Sequence, residues 1–121
     1  MAEVRLLLAD DSQVLLDALT ELVDRAPGIT VVAAVRDGAA ALARTLELRP
    51  DVAVVDVRMP GGGPDLVRSL LGALPGLHVI GLSSQRGGGV PQEMAAAGAA
   101  RYLAKGDPDL DLIGVIHDVT A

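Results

Sequence analysis

The chain has 121 residues, of which 50% are apolar and 21% are charged, so it can bury a core and is predicted to form one domain over residues 1–121. Its formal net charge of −6 disfavours direct binding to nucleic-acid phosphates, and the lack of Cys excludes disulfides and thiolate metal sites. With no Trp, no Phe and Tyr102 as the single Tyr, sites built from stacked aromatic rings are excluded as well.

The hydrophobic pattern alternates between short apolar runs, which predict strands buried on both faces, and longer amphipathic stretches, which predict helices. In the first half of the chain, the pattern predicts strands at Val4–Ala9, Thr30–Val35 and Val52–Val55. The helix after the first strand has an apolar face formed by Val14, Leu15, Ala18, Leu19, Leu22 and Val23. The helix after the second strand covers Ala39–Leu48, with Leu42, Thr45 and Leu46 on its apolar face. In the second half, the pattern predicts strands at His78–Leu82 and Arg101–Leu103 and helices at Pro91–Ala97 and Leu110–Val119. A further helix precedes strand His78–Leu82, with an apolar face formed by Leu66, Val67, Leu70, Leu71 and Leu74.

Proline-containing pairs mark the turns between these elements. Pro27-Gly28, Pro50-Asp51 and Pro75-Gly76 each separate a predicted helix from the strand that follows it. A strand–helix alternation of this regularity implies right-handed crossovers and a parallel sheet covered by helices on both faces. The sequence therefore predicts an α/β fold.

The N-terminal segment does not resemble a targeting or anchoring signal. The apolar stretch Leu6–Ala9 is followed at once by two aspartates, which makes it far shorter than the roughly 20 residues that span a bilayer. We therefore expect a cytoplasmic protein without membrane contacts.

In a doubly wound sheet the ligand site lies beyond the carboxyl ends of the strands, so the residues that directly follow each strand are the candidates. Asp10 and Asp11 follow the first predicted strand, Asp56 follows the third, Ser83 and Ser84 follow the fourth, and Lys105 follows the fifth. Three carboxylates, a hydroxyl and an ammonium group would then share one edge of the sheet.

Three clustered carboxylates cannot all stay ionised without a compensating cation, because like charges raise one another's pKa. Mg2+ would provide this compensation, since it takes oxygen ligands and commonly keeps waters and phosphate oxygens. A bound phosphoryl group would need positioning and charge neutralisation, which Lys105 and a hydroxyl can supply. Asp56 follows an apolar strand and is the candidate nucleophile, because a carboxylate can form an acyl phosphate.

Four short motifs combine these residues in a recognisable order: ADD at 9–11, VVDVRMPG at 54–61, VIGLSS at 79–84 and YLAKG at 102–106. On these motifs the chain resembles the receiver domains of two-component response regulators, most strongly those that precede a LuxR-type helix-turn-helix output domain. The resemblance covers the whole chain. It implies a flavodoxin-like (βα)5 three-layer sandwich whose five-stranded parallel sheet has the order 2-1-3-4-5.

The resemblance implies a phosphorylation switch that catalyses its own phosphorylation and dephosphorylation, not a turnover enzyme. Asp56 would accept phosphate from a sensor histidine kinase or from a small acyl phosphate. Asp11 and Asp56 would bind Mg2+ through their carboxylates, Asp10 would hold a metal-bound water, and Arg58 would offer its backbone carbonyl. Lys105 would contact the phosphoryl oxygens.

The resemblance also implies how the signal leaves the site. Ser83 would turn its hydroxyl toward the phosphate as Tyr102 moves inward, changing the face formed by the fourth helix, fifth strand and fifth helix. That face would control an output domain or another effector, with transcription as the expected target, and is a candidate homodimer surface. Arg58 and Gln85 would tune the lifetime of the acyl phosphate.

Other interpretations of the same residues remain open. Asp10 and Asp11 also suit the N-terminus of a helix, and Tyr102 also suits ordinary core packing. A flavin or cobalamin binder would need a hydroxyl-rich phosphate loop or a DxHxxG motif, and the sequence contains neither. A pseudo-receiver that acts purely as an interaction module would keep the fold without phosphorylation.

The sequence departs from the family pattern in its loops. Gly106 follows Lys105, where many receivers have a cis-proline, which predicts a less constrained loop. GGGP at 61–64 and RGGGVP at 86–91 place two glycine triplets beside the candidate site, and we expect both loops to be mobile.

Overall fold

The computed structural model of the protein describes residues 3–84, 89–107 and 110–121. The strands are β1 (Val4–Ala9), β2 (Ile29–Val35), β3 (Val52–Asp56), β4 (His78–Ser83) and β5 (Arg101–Ala104). They alternate with helices α1 (Gln13–Asp24), α2 (Gly38–Leu48), α3 (Pro64–Ala73), α4 (Val90–Ala97) and α5 (Leu112–Thr120). All strand pairs are parallel and the sheet order is β2-β1-β3-β4-β5, which confirms the predicted fold.

The core lies on both faces of the sheet, because successive side chains of a strand point to opposite faces. Leu7 and Ala9 of β1 belong to one cluster, which is covered by α2, α3 and α4. Leu6 and Leu8 of the same strand belong to the other cluster, which is covered by α1 and α5. The central strands are consequently apolar without alternation, as the sequence pattern predicted.

Two helices face the sheet differently from the prediction. In α1, Val14 is 80% exposed and Leu22 is 45% exposed, whereas Leu16 and Val23 are buried. The other predicted residues of this face, Leu15, Leu19 and Val23, do pack on the core. The buried face therefore overlaps the predicted one and is shifted toward Leu16. In α2, the predicted Leu42 packs on the core and the predicted Thr45 is buried, whereas Leu46 is 58% exposed.

Helix boundaries follow local capping groups. Helix α5 begins at Leu112, later than the predicted Leu110, because the Asp111 carboxylate accepts a hydrogen bond from the Gly114 amide at 3.0 Å. Helix α4 ends at Gly98, as predicted, with a φ of 112°. Within the described ranges no helix is both long enough and apolar enough to cross a membrane.

Candidate functional site

The predicted acidic residues meet at the carboxyl edge of the sheet. Asp10 follows β1 and Asp56 ends β3, and these strands are neighbours in which Ala9 pairs with Val55. Asp10 and Asp56 are 2% and 3% exposed, whereas Asp11 is exposed. One carboxylate oxygen from each of the three acids lies within 4.8 Å of the others.

Lys105 follows β5 and reaches across to the same acids. Its Nζ lies 2.6 Å from Asp10 Oδ2 and 3.4 Å from Asp56 Oδ2. Its backbone amide donates to the Ser83 carbonyl at 2.7 Å, which ties the loop after β5 to the end of β4. The ammonium group therefore bridges the two buried carboxylates from a fixed position.

Backbone amides hold the other oxygen of each buried acid. The Ser12 amide donates to Asp10 Oδ1 at 2.9 Å, and the Arg58 amide donates to Asp56 Oδ1 at 3.2 Å. Asp10 Oδ2 pairs with the Lys105 ammonium and has no further partner among the described residues, so this buried oxygen keeps unused acceptor capacity. The donor set consists of oxygens with spare lone pairs, and it fits a hard cation such as Mg2+.

The ionisation of the site reflects burial and an excess of negative charge. Burial raises the pKa of Asp56, and the nearby Asp10 raises it further, while the Arg58 amide and Lys105 lower it without cancelling the rise. Burial by itself lowers the pKa of Lys105, but the contacts with Asp10 and Asp56 outweigh it and hold that pKa above its ordinary 10.5. One charged lysine thus faces three acids, and Asp56 is the acid whose pKa is raised.

The glycine triplet after β3 allows a close approach of backbones. A Cβ atom on Gly62 would lie 2.6 Å from the Asp56 carbonyl oxygen, and one on Gly38 would collide with the Gly61 carbonyl. The Gly38 amide also donates to the Pro60 carbonyl at 2.8 Å. Close packing against α2 therefore accounts for Gly61, and the backbone of the preceding turn leaves no room for a side chain at Gly62. The mobility of the loop stays a prediction. The second triplet lies mostly outside the described residues, as does Gln85.

Ser83 and Tyr102 lie on neighbouring strands beside the acids. Ser83 is fully buried at the end of β4, whereas Ser84 is exposed. Tyr102 is half-buried and packs against the core cluster under α4. A Cβ atom on Gly81 would lie 3.1 Å from Tyr102 Cδ1 and 2.7 Å from Met94 Cε, so the absence of a side chain at Gly81 makes room for both.

The loop after Lys105 takes a conformation that suits glycine. Gly106 has a φ of 77°, which proline cannot adopt because its ring fixes φ near −65°. The described residues contain no cis peptide bond. The position of Lys105 is therefore supported by the hydrogen bond from its backbone N–H to the Ser83 carbonyl, and not by a cis-proline.

The motifs in the sequence did not point to two residues that the structure places at the site, Ser12 and Arg36. Ser12 caps α1 by accepting a hydrogen bond from the Leu15 amide, and a serine just before an apolar helix was an available signal. Arg36 donates from Nε and Nη2 to the Asp11 carbonyl at 3.2 and 2.9 Å. Its partner is a backbone atom 25 residues away, which no side-chain pattern reveals.

This fold and this site define the receiver-domain class. A sheet of order 2-1-3-4-5 carries an acidic pair after β1, an aspartate at the end of β3 and a lysine after β5. The family model for the response regulator receiver domain matches residues 6–117. The chain belongs to this family, as its motifs suggested.

The relatives and structural neighbours refine this assignment. The chain is 36% identical to the DNA-binding transcriptional activator DevR/DosR of Mycobacterium tuberculosis, covering 98% of this chain and 55% of that protein. It thus spans about half the length of the curated relative. A LuxR-family response regulator from Aurantimonas sp. SI85-9A1 superposes with a TM-score of 0.91 at 25% identity, covering 98% of this chain and 85% of the other. The receiver domain of a NarL regulator from Mycobacterium tuberculosis gives 0.88 at 26% identity, covering 98% and 97%.

Proposed function

We propose that the protein is the phosphoryl-accepting switch of a two-component system, in which Asp56 receives phosphate from a sensor histidine kinase. The observation that carries the proposal is the convergence of Asp10, Asp11 and Asp56 with Lys105 at one edge of the sheet. The family assignment supports the same conclusion. No observation among the described residues favours the pseudo-receiver alternative, because all four groups are present and close together.

In the proposed transfer, an Asp56 carboxylate oxygen attacks the phosphorus atom of the donor. The new O–P bond replaces the P–N bond of a phosphohistidine, and the imidazole nitrogen leaves with the electron pair. Lys105, at 3.4 Å from Asp56, neutralises charge on the phosphoryl oxygens. The Arg58 amide keeps the carboxylate oriented by holding Oδ1.

We assign the cation to Mg2+, held by Asp11 and Asp56 directly, by Asp10 through a water and by the Arg58 backbone carbonyl. The cluster of carboxylate oxygens within 4.8 Å supports this set. When bound, Mg2+ would supply charge neutralisation for the incoming phosphoryl group. Hydrolysis of the acyl phosphate would use the same residues, with its rate tuned by Arg58 and Gln85.

The exposed side of α1 supports a protein phosphodonor. Val14 and Ala18 are exposed, and Leu22 is 45% exposed, so apolar side chains recur at every fourth position along the helix. This row begins three residues after Asp11, beside the acidic edge. A kinase domain that delivers its phosphohistidine to Asp56 would cover this apolar row.

The output surface is proposed to be the α4–β5–α5 face. Ser83, two residues after Gly81, would turn toward the phosphate, and the packing of Gly81 against Met94 and Tyr102 would carry the change to that face. A groove of about 630 Å3 between β5 and α5 lies on the same face, with Leu103 and Val115 among its lining residues. It would contact a transcriptional output domain or pair two copies of the chain.

Phosphorylation by a small donor tests the proposal directly. We expect the protein with Mg2+ and acetyl phosphate to gain the mass of one phosphoryl group in intact-mass spectrometry, and the adduct to be labile in acid and base. Asp56→Asn removes the acceptor oxygen and should abolish the gain. Asp24→Asn, at an exposed acid at the end of α1, is the matched control and should label like the wild type. Labelling of Asp56→Asn at the wild-type level would contradict the assignment.

A further inference from the structure

The peptide group between Asp11 and Ser12 is held at both of its polar atoms. Its N–H donates to Asp10 Oδ1 at 2.9 Å. Its carbonyl accepts from Arg36 Nε at 3.2 Å and from Arg36 Nη2 at 2.9 Å. The N–H of this peptide therefore contacts the carboxylate of a buried acid, and its carbonyl contacts an arginine that directly follows β2, the outer strand beside β1.

Arg36 itself stands between two anchored residues. The Val35 carbonyl accepts a hydrogen bond from the Asp10 amide at 3.0 Å, which fixes the end of β2 against the end of β1. The Asp37 carboxylate accepts from the Ala40 amide at 2.7 Å and caps α2. The planar guanidinium then presents two N–H groups to one carbonyl, a geometry that the single ammonium of lysine does not reproduce.

The exposed Asp11 depends on this backbone support. Among the residues that the structure describes, no hydrogen bond or ion pair holds its carboxylate, so the backbone fixes only the direction of its Cα–Cβ bond and thereby the space that the carboxylate can reach. We propose that Arg36 is a positioning residue for cation binding: by fixing the Asp11–Ser12 peptide, it aims Asp11 into the site and keeps the Ser12 amide on Asp10. This inference rests on the magnesium site of the proposed function.

The two effects that Arg36 can have on a bound cation differ in sign. Its positive charge beside an acidic cluster repels Mg2+, so its removal would tighten binding if charge alone mattered. Its grip on the peptide organises two ligands, so its removal would weaken binding if positioning dominates. Groups that orient metal ligands from outside the coordination shell affect affinity about 10-fold or more, which favours the second outcome.

The test measures the Mg2+ dissociation constant by NMR titration for the wild type, Arg36→Met and Arg36→Lys, with hydrogen exchange of the Ser12 amide as a second readout. We expect both variants to bind Mg2+ more weakly, Arg36→Met by about 10-fold, and both to exchange the Ser12 amide faster. Arg44→Met, which removes an exposed arginine paired with Glu47 on α2, is the control and should match the wild type in both measurements.

Binding by Arg36→Met that is equal to or tighter than that of the wild type would overturn the inference. Wild-type affinity in Arg36→Lys would also overturn it, because the two-pronged contact with the Asp11 carbonyl would then be dispensable for cation binding. If the wild type itself binds no Mg2+, the magnesium site of the proposed function fails, and Ser12 exchange still decides the role of Arg36. Unchanged exchange in Arg36→Met would show that the arginine does not hold the peptide.

Discussion

The two ends of the parallel strands, called here the amino edge and the carboxyl edge of the sheet, differ in how their charged side chains are paired. At the amino edge, the Arg5 amide donates to Asp51 Oδ2 at 2.9 Å, and the Arg5 guanidinium donates to the carbonyls of Leu48 and Arg49. At the carboxyl edge, Lys105 faces two buried acids and one exposed acid. At the first edge the charged groups bond to backbone atoms and join chain segments, whereas the second keeps an excess of negative charge that a bound cation would relieve.

The largest expected effect comes from removing the one cation of the carboxyl edge. Lys105→Met leaves Asp10 and Asp56 buried together, so we expect the free energy of unfolding to fall by about 3 kcal/mol at neutral pH without Mg2+. Added Mg2+ should recover part of this loss, because it compensates the same carboxylates. Chemical denaturation with and without Mg2+ measures both effects.

Arg5→Met is the matched control for this experiment at the amino edge. It removes the hydrogen bonds to the Leu48 and Arg49 carbonyls, so we expect a loss of about 1 kcal/mol that Mg2+ does not change. Equal losses and equal Mg2+ responses in the two variants would contradict the contrast between the edges.

Asp56→Asn should change stability in the opposite direction. The pKa of Asp56 is raised in the folded protein, so the stability that this group contributes is fully present below its unfolded value of 3.8 and is lost as the pH rises through the folded pKa. Replacing the carboxyl group with a neutral amide should therefore stabilise the metal-free protein at pH 7. The gain should vanish below pH 3.8.

Urea unfolding of both proteins across this pH range measures the difference. A variant that is less stable than the wild type at pH 7 would mean that the Arg58 amide and Lys105 stabilise the ionised Asp56 more than burial and Asp10 disfavour it.

The smallest expected effect comes from Thr45→Val. This variant tests whether a buried polar atom outside the acidic edge matters for stability or for Mg2+ binding. Among the residues that the structure describes, Thr45 Oγ1 in α2 is buried without a hydrogen-bond partner, and Asp10 Oδ2 has only its lysine contact. Thr45→Val keeps the shape and removes the hydroxyl, so we expect a stabilisation of about 0.5–1 kcal/mol. The Mg2+ affinity should stay unchanged, because Thr45 lies outside the acidic edge. A loss of stability in thermal unfolding would indicate a partner for the hydroxyl.

The sequence was sufficient to predict the sheet and the charged residues that meet at the carboxyl ends of its strands. Asp10, Asp56 and Lys105 each follow an apolar run, and parallel strands bring such positions to one edge regardless of how far apart they lie in the chain. Charged side chains at strand ends are visible as residue types, so their convergence could be predicted before any distance was known.

The remaining features depend on the three-dimensional path of the backbone. The contact of Arg36 with the Asp11 carbonyl joins a side chain to a main-chain atom of another loop, so residue types do not encode it. The predicted apolar face of α1 is only partly correct, because Val14 and Leu22 are as apolar as the buried Leu16 and yet are exposed. The role of Gly62 was predicted as loop freedom, yet its nearest neighbour is the backbone of Asp56.

Tyr102 gives the protein a built-in optical label. The sequence holds no other tyrosine and no tryptophan, so all of its near-ultraviolet absorption and intrinsic emission come from one ring. That ring lies beside Gly81 and packs against the core cluster that contains Met94. Any repacking there changes the spectrum without background from other aromatic side chains, so the proposed switch can be followed without attaching a dye.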